Sequence, residues 1–440
     1  MKRYFKFIGT LLGIGDIKGT ADALINVTGV SDIDNAIPDK WAPGIFLDGI
    51  ARGFWKKFMG SEGSRMPIVV SNQFAPKGAK TNNVVFNTLS QLYSSGVSGE
   101  TVLKGSESKL KTGVFCITPE LYRNAVGVTK KSTWQANFDE IQKAGELLKI
   151  WVNGEITNQI FETMLGVGAG QTLYANSKTA IDSLVSTDKF GTTELDMIWL
   201  ALKRMGALPL AVIPDNDGEE IPIFGCVVDS IDAYNLQGST SWVYGKREAY
   251  SGQGEKSPIF TRALGKYGGL LVYEYSGIAG AENRGTPLRP ECQVYGTLIT
   301  AATTITVGSD TTEDLTRFFA SAGTLQIEDE FITYTGKTAI TFTGCTRGVT
   351  VGSTGSTAAQ HVDKTVTQRN VSNALGFGAE SVFFGWGEEP TVIGEKEDYG
   401  ARVGIGIEGY WGIARKKDKR SGRAPGIVML KSYSGNPGTI

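Results

Sequence analysis

The feature that most constrains the fold is an all-β block that interrupts the chain at residues 291–369. The block is rich in threonine, glycine and β-branched residues, carries turn signals every few residues and shows no helical pattern of useful length. Because insertions are tolerated where two chain ends lie close together on a surface, we predict that this block is an inserted domain. It is expected to be small and β-rich, immunoglobulin-like or barrel-like, and to lie in a surface loop of a host domain.

The host sequence predicts an α+β arrangement. The chain has 440 residues, and single hydrophobic cores stop growing at roughly 250–300 residues, so at least two domains are expected. Apolar residues at helical spacing predict a long helix over 132–165 with Ser132 as its N-cap, and a second helix over 194–206. Helices followed by hairpin strands favour α+β over a doubly wound sheet. Strands are predicted at 208–214, 221–231, 268–276 and 399–416, with mixed α/β character at 373–387.

The N-terminal part of the chain predicts an arm followed by a ribbon. Residues 1–60 have weak periodicity, and two tryptophan-containing patches, WAPGIF (41–46) and GFWKKFMG (53–60), could dock on another surface. The basic and apolar start of the chain is interrupted by glycines, so we predict a mobile arm rather than a signal peptide. Strands are predicted at 66–70, 82–89 and 114–128. With the polar, glycine-rich segment 94–113 between them, they predict a long β-ribbon with a mobile tip.

Composition argues against several classes of protein. Lysine and arginine total 44 against 45 acidic residues, a formal net charge of -1, which disfavours a globally basic nucleic-acid binder. The four cysteines are far apart and form no C-x-x-C pair, so we predict free buried thiols rather than a zinc site or a disulfide framework. No uncharged apolar run is long enough to span a bilayer.

No residue constellation predicts catalysis, a cofactor site or a metal site. His361 is the single histidine and lies in the β block without a clear partner, so we predict a surface residue rather than a triad member. The glycine-rich stretches at 13–19 and 165–172 lack the G-K-[ST] ending of a phosphate-binding loop. DNDGEE (215–220) resembles the start of a calcium loop, but its spacing fits a hairpin turn better.

Two charge clusters are candidate interaction sites. The first is acidic and is interpreted as a solvated loop, since glycosidic chemistry would need a cleft that the sequence does not predict. Its members are Glu388, Glu389, Glu395, Glu397 and Asp398. The second, RKKDKRSGR (415–423), is the densest basic run and is interpreted as an exposed loop that could face phosphate or an acidic neighbouring subunit. The basic patch comprises Arg415, Lys416, Lys417, Lys419, Arg420 and Arg423.

Several motifs resemble a phage major capsid family typified by the N-four-like short-tailed phages. FGCVVDSIDAYNL (224–236) resembles the family's strand and helix start, and SPIFTRALGKYGGLLVYEY (257–275) resembles its "NPIFTGALGxYxG" motif. Ser257 stands where the family has asparagine, and Arg262 stands where it has glycine. EKEDYG (395–400) resembles the family's "E-x-x-DYG".

Looser similarities extend along the chain in the same order as in the family. GETVLKGSESKL (99–110) is similar to the "GDxxLEGNEE" ribbon, ALGFGAES (374–381) to an "LLGAQA" helix, and GIARKK (412–417) to a "GIKK"-like strand. The similarity covers most of 53–290 and 371–433. The order and spacing of the motifs carry the resemblance more than any single motif does.

The resemblance implies the Hong Kong 97-type capsid fold, an α+β fold, here with an inserted small all-β domain. Its parts would divide the chain into six regions. These are an N-terminal arm (1–60), an E-loop β-ribbon with peripheral-domain strands (61–130), a spine helix with the peripheral (P) domain (131–192), an axial (A) domain (193–290), the inserted domain (291–369) and a return to the A and P domains (370–440).

The resemblance also implies a function, that of a major capsid protein of a tailed bacteriophage. Such a protein self-assembles as hexamers and pentamers into an icosahedral shell around double-stranded DNA, within the virion, after assembly in the bacterial cytoplasm. Candidate further partners are decoration or cement proteins, a portal, a scaffold and, by weak non-specific contact, the packaged DNA; no membrane is implied. The inserted domain would lie on the outer surface and reinforce or decorate the shell.

Two other classes of function were weighed against the capsid. A phage tail or other virion or cell-surface protein could use the β module for attachment, but it would be expected to lack a long helix after a polar ribbon. A hydrolase would need a carboxylate or nucleophile site that the sequence does not predict.

Overall fold

The described part of the chain combines a helical layer with two host sheets and a separate set of small sheets, an α+β fold as predicted. In a computed structural model the described residues are 27–28, 53–71, 83–89, 96–100, 102, 104, 107, 112–136, 139–214, 220–250, 264–277, 285–352, 354–416 and 425–435. Most of the predicted arm, most of the ribbon tip and the turn at 215–219 lie outside these residues.

The described residues contain five α-helices. They are numbered in chain order as α1 (Lys130–Gln135), α2 (Glu140–Leu165), α3 (Thr192–Arg204), α4 (Ser230–Gly238) and α5 (Thr240–Tyr250). Helix α2 has 26 residues and, at ~1.5 Å per residue, is about 39 Å long.

The long helix predicted over 132–165 is divided in two, and its predicted N-cap was wrong. Thr129 caps α1, since its Oγ1 accepts from the backbone N–H of Ser132 at 3.1 Å, and Asp139 caps α2 through its side chain. The Ser132 hydroxyl is buried and donates to Glu140 Oε2 at 3.0 Å. Thr129 and Ser132 could each cap a helix here, and residue spacing alone does not decide which of them does.

The strands alternate with the helices and turns along the whole described chain. In chain order, β1 to β24 are Val27–Thr28, Met59–Ser61, Ile68–Val70, Val84–Leu89, Thr112–Ile117, Glu120–Thr129, Thr172–Tyr174, Ala211–Pro214, Glu220–Asp229, Gly265–Tyr267, Leu270–Tyr275, Glu291–Gln293, Thr297–Leu298, Thr304–Thr306, Gly323–Ile327, Glu330–Tyr334, Gly336–Lys337, Thr341–Thr343, His361–Val362, Thr365–Thr367, Val371–Phe377, Val382–Glu397, Arg402–Arg415 and Ile427–Tyr433.

Two sheets form the host. The first host sheet has the order β1-β6-β23-β22-β3-β2, and helix α2 packs against its strands β23, β22 and β6. The second host sheet has the order β10-β11-β9-β21-β24-β7, with β8 paired to β9. Helix α3 covers the second sheet, and its Leu195, Ile198 and Leu202 share a buried cluster with Phe224 and Val428.

An aromatic cluster joins α2 to both host sheets. Trp55, which is 1% exposed, lies on a short 3-10 helix (Phe54–Phe58). Its ring centroid is 4.8 Å from that of Phe161 on α2 and 5.6 Å from that of Phe377 on β21. Phe161 in turn lies 4.5 Å from Tyr275. The predicted patch at 53–60 therefore docks on the core of its own chain, whereas the patch at 41–46 lies outside the described residues.

The base of the ribbon is an antiparallel pair, β4 with β5, in which Val84 lies opposite Ile117. The strand predicted at 66–70 does not pair with the ribbon. It forms β3, which runs parallel to β22 in the first host sheet. The strand predicted at 114–128 is divided into β5 and β6 at Pro119, a residue that has no N–H to donate to a ladder.

The helix that the resemblance implied at 374–381 is a strand, β21, followed by a turn. All seven residues of β21 are buried, and it pairs with β24 on one side and β9 on the other. A Cβ at Gly376 would lie 2.3 Å from a side-chain carbon of Ile198, so the glycine allows α3 to approach closely. A fully buried central strand has no polar alternation, and periodicity cannot distinguish it from a buried helix.

Residues 291–369 form small sheets around a core of their own. The orders are β12-β20-β15-β16, β13-β19 and β14-β18-β17, and no helix is found in the described part of this block. Its buried cluster, which includes Ile305, Leu325 and Phe342, draws all its members from residues 292–366. Strand β12 pairs antiparallel with β20, so the two ends of the block lie side by side where they meet the host.

The prediction of a surface position for His361 was wrong. The side chain is 3% exposed; its Nε2 lies 2.8 Å from Glu330 Oε2, and its Nδ1 lies 3.1 Å from Glu328 Oε2. Pairing of β13 with β19 sets His361 opposite buried Leu298. Burial would raise the pKa of Glu330, but hydrogen bonds from Arg347 and other donors outweigh it and lower that pKa. The histidine therefore belongs to an internal ionic cluster of the block.

The four cysteines are free, as predicted, but they are not all buried. Cys226, Cys292 and Cys345 are buried, and burial raises the pKa of each thiol. Cys116 on β5 is exposed, which corrects the prediction for that residue. Alternation along the ribbon strand turns this side chain outward.

A buried carboxyl on α4 predicts a pH-dependent stability. Asp232 is fully buried, and burial, with a smaller contribution from Asp229, raises its pKa to about 7. Between its usual value of about 4 and this folded value the carboxyl loses its proton more readily when the chain is unfolded, so stability falls as the pH rises. Asp232→Asn should therefore raise the free energy of unfolding by on the order of 2 kcal/mol at about pH 8.5 and by little below about pH 4.

Thermal unfolding of both chains across this pH range checks the prediction. The low-pH comparison is the internal control, because the carboxyl is protonated there in both states. A variant with the same advantage at both pH values would contradict the assignment.

Candidate functional site

The candidate site is the long hairpin of β22 and β23, whose outer edge is open over 391–397 as far as the described residues show. Strand β22 pairs with β3 at Val382 to Phe384 only, while its other edge pairs with β23 along most of its length. Register shifts interrupt the ladder near Glu388, and regular pairing continues from Thr391 to Glu397. No strand among the described residues covers the outer edge over 391–397. Its backbone groups are therefore a template for a further strand.

Exposed apolar side chains lie on this open edge and at the hairpin tip. Val392 is 48% exposed and Ile393 is 46% exposed, on opposite faces of the strand. Tyr399 at the tip is fully exposed and has φ +52°, a left-handed conformation that a tyrosine rarely adopts. These exposed apolar groups are available for contact with another chain.

The acidic cluster lies along this edge strand, not in a loop as predicted. Glu388, Glu389, Glu395 and Glu397 all belong to β22, and Asp398 begins the turn. Charged residues are frequent on edge strands because they discourage unspecific pairing. The local sequence of a charged edge strand therefore looks like that of a solvated loop. The outer edge of β22 therefore carries acidic residues on both sides of an apolar middle.

A basic and aromatic pocket lies at the hairpin tip. Its volume is ≈ 540 Å³, and its lining includes Lys130, Lys131 and Trp134 of the α1 segment with Asp398 and Arg402 of the hairpin. Trp134 lies on a helix, as predicted for 132–165, and its side chain is 83% exposed. The sequence signal was the adjacent Lys130–Lys131 pair, which is typical of an exposed helix face. One chain therefore carries an acidic edge and a basic pocket, which are complementary in charge.

The predicted basic patch is only partly within the described residues. Arg415 ends β23 and is half-buried, and burial lowers its pKa. Lys416 Nζ lies 3.3 Å from Glu380 Oε2 of the same chain. These two residues lie at the opposite end of β23 from the hairpin tip. The remaining members, Lys417, Lys419, Arg420 and Arg423, lie outside the described residues.

A polar cavity between the β block and the host is a second candidate. Its volume is ≈ 1370 Å³, and Lys189, Glu328, Glu330, His361 and Tyr433 are among its lining residues. Two of the carboxylates there already have ion-pair partners: Glu328 pairs with Lys364, and Glu330 pairs with Arg347.

Two further features were sought among the described residues, a cluster of metal-ligating side chains and a membrane-spanning helix. No group of three or more histidine, cysteine, aspartate or glutamate side chains among them could hold a metal ion. None of their helices is long and apolar enough to cross a membrane.

Comparison with solved structures identifies the fold. The capsid of Ralstonia phage GP4 has 14% identity and a TM-score of 0.58, covering 91% of this chain and 96% of that one. The Cyanophage Pam1 capsid has 13% identity and a TM-score of 0.62, covering 91% and 97%. The head of Helicobacter pylori bacteriophage KHP40 has 15% identity and a TM-score of 0.60, covering 93% and 100%. No family model matches the sequence, and no curated protein does.

The chain therefore has the α+β fold of phage capsid proteins, the Hong Kong 97-type fold, as the resemblance implied. Each match covers almost the whole of the other chain, so the likeness is not confined to one shared motif.

Changing the open edge should weaken self-association without unfolding the chain. Val392→Lys with Ile393→Lys places two cations on the edge while leaving the core untouched, so the free energy of unfolding should change by less than about 1 kcal/mol. Lysine disfavours strand addition at an edge, so the association constant should fall at least roughly tenfold.

Sedimentation velocity measures the association, with Leu200→Lys as the control. Leu200 on α3 is also half-exposed, at 50%, but lies away from the hairpin. Equal association of the edge variant and the wild type would contradict a role for the edge.

Proposed function

We propose that this chain is the major capsid protein of a tailed bacteriophage. It self-assembles as hexamers and pentamers into an icosahedral shell that encloses the double-stranded DNA genome. The observation that carries the proposal is the match along more than nine-tenths of the chain to capsid chains that are themselves covered almost completely.

The open surfaces of the chain support assembly. Shell subunits expose strand edges and apolar groups that neighbouring subunits cover, so their stability belongs to the lattice as much as to the monomer. The outer edge of β22 and the basic pocket at Trp134 are surfaces of this kind. The acidic edge and the basic pocket would fit a heterologous contact, in which different patches of two copies meet.

The division into capsid regions is part of the proposal. Residues 1–60 form the N-terminal arm, 61–130 the E-loop with P-domain strands, and 131–192 the spine helix and P domain. Helix α2 is the spine helix. Residues 193–290 form the A domain, which holds β9 to β11 of the second host sheet, and 370–440 return to the A and P domains. The block at 291–369 faces outward, where it reinforces the shell or receives a decoration protein.

The finer assignments belong to the same proposal. They are membership of the N-four-like group, a portal and a scaffold as further partners, and weak contact of the basic patch with packaged DNA. The tail or cell-surface alternative is not favoured by any observation, since the matched structures reported above are all capsids or heads.

Electron microscopy with sedimentation tests the capsid assignment. The untagged chain is purified at two concentrations about tenfold apart, because assembly follows mass action. A second preparation comes from cells that also express the other head genes of the phage. Closed shells, or hexameric and pentameric rings, are expected in at least one preparation. A monomer in both would overturn the proposal.

Neutralising the basic patch tests its contact with DNA. Replacing Arg415, Lys416, Lys417, Lys419 and Arg420 with serine should leave shells intact and reduce the fraction of particles that retain the genome. That retention should also depend less on salt concentration than in the wild type. Unchanged retention would show that the patch does not touch the genome.

A further inference from the structure

One arginine of the β block reaches across to the long host helix. Arg317 binds Glu155 in a fork, with Nη1 at 2.5 Å from Oε2 and Nη2 at 2.8 Å from Oε1. The same guanidinium binds Glu162, with Nε at 2.7 Å from Oε1 and Nη2 at 3.3 Å from Oε2. Charge-assisted, bidentate contacts of this kind are the strongest hydrogen bonds that side chains form.

The two carboxylates lie on one face of α2. Glu155 and Glu162 are seven residues apart, which is about two helical turns or roughly 10 Å of helix axis. A single planar guanidinium therefore holds two successive turns together. Removing it would leave two like charges near each other on a half-buried face, since the Glu155 side chain is 12% exposed.

The arginine is presented by a rigid loop. Leu315 and Phe319, two residues before and after it, are buried in the core of the block, and the Phe319 ring lies 5.0 Å from that of Phe342. Lys337 Nζ donates to the carbonyl oxygens of Thr316 at 2.5 Å and Arg317 at 3.1 Å. Little conformational freedom remains to be lost when the contact forms, so the loop is preorganised for it.

The contact continues through the helix into the first host sheet. Gln159 Nε2 donates to Glu155 Oε1 at 2.8 Å, and Trp411 Nε1 donates to Gln159 Oε1 at 2.9 Å. Trp411 is fully buried on β23. The β block, helix α2 and the sheet that carries the open hairpin are thus joined by one chain of hydrogen bonds.

The clamped segment begins directly after the weakest residue of this part of the helix. Gly154 is buried within α2, and a glycine in a helix interior costs about 1 kcal/mol relative to alanine. The contact from the β block therefore anchors the helix on the C-terminal side of this glycine.

We propose that the β block is an internal splint for α2, acting through Arg317. The contact restrains the segment from Glu155 to Glu162, which begins directly after Gly154. In a shell this restraint would narrow the range of helix shapes that the subunit can adopt at different lattice positions, a consequence that rests on the proposed capsid function.

Hydrogen exchange of the full-length chain tests the splint without requiring a shell. Arg317→Gln should speed exchange of the amides at 153–165 roughly tenfold, the factor expected for losing charged hydrogen bonds. The control is Lys143→Gln, which breaks the exposed pair of Lys143 with Glu146 (3.0 Å) on the same helix and should leave 153–165 unchanged. Amides at 323–334 report whether the block itself stays folded.

A second variant reaches the same contact from the helix side. Glu155→Gln with Glu162→Gln removes both carboxylates and leaves the block untouched, and it should also speed exchange at 153–165. Unchanged exchange in this variant, or in Arg317→Gln with an intact block, overturns the proposal. If Arg317→Gln unfolds the block, the carboxylate variant alone decides.

The two proposals fail separately. If the wild-type chain forms no shells in any preparation, the capsid assignment is lost while the exchange result still decides the splint. If shells form but exchange is unchanged, the splint is lost and the assignment stands.

Discussion

The packing of helix α2 against the first host sheet is the constraint on which the rest of the host depends. Leu148, Val152 and Phe161 of the helix are buried together with Ile407 and Trp411 of β23. Burying each such side chain contributes roughly 1.5–3 kcal/mol, so this face fixes the sheet to the helix. Helix α2 covers one face of β23. Among the described residues, the part of β22 over 391–397 pairs with β23 alone. The open edge is therefore a consequence of how the core is built.

The same packing explains how one chain can be folded and still expose surfaces for assembly. The aromatic cluster around Trp55 joins the two host sheets, and the β block has its own core, so neither needs a second chain to form. The outer edge of β22 over 391–397 and the exposed Trp134 contribute little to those cores. They are the surfaces that assembly would bury. Because the edge of β22 is acidic and the pocket at Trp134 is basic, the edge of one copy can contact the pocket of another.

The sequence predicts the α+β class, the β-rich block, the helix near 194–206 and the strands that flank it. These rest on local signals: amphipathic spacing, turn residues and Gly206, whose φ of +68° ends α3. The wrong predictions concern features that are set by contacts between residues far apart in the sequence. Trp411 meets Gln159 across 252 positions, and His361 is buried because β19 pairs with β13. The open edge of β22 was missed because it is defined by the absence of a neighbouring strand, which no local pattern reports.

We propose that a second copy of this chain covers the open hairpin edge in a closed shell. A density map of the assembled particle, at a resolution that separates strands, is the direct test. Residues 391–397 are expected to lie against a neighbouring copy, and 291–369 to project outward from the shell. A closed particle in which this edge faces solvent in every copy would contradict it.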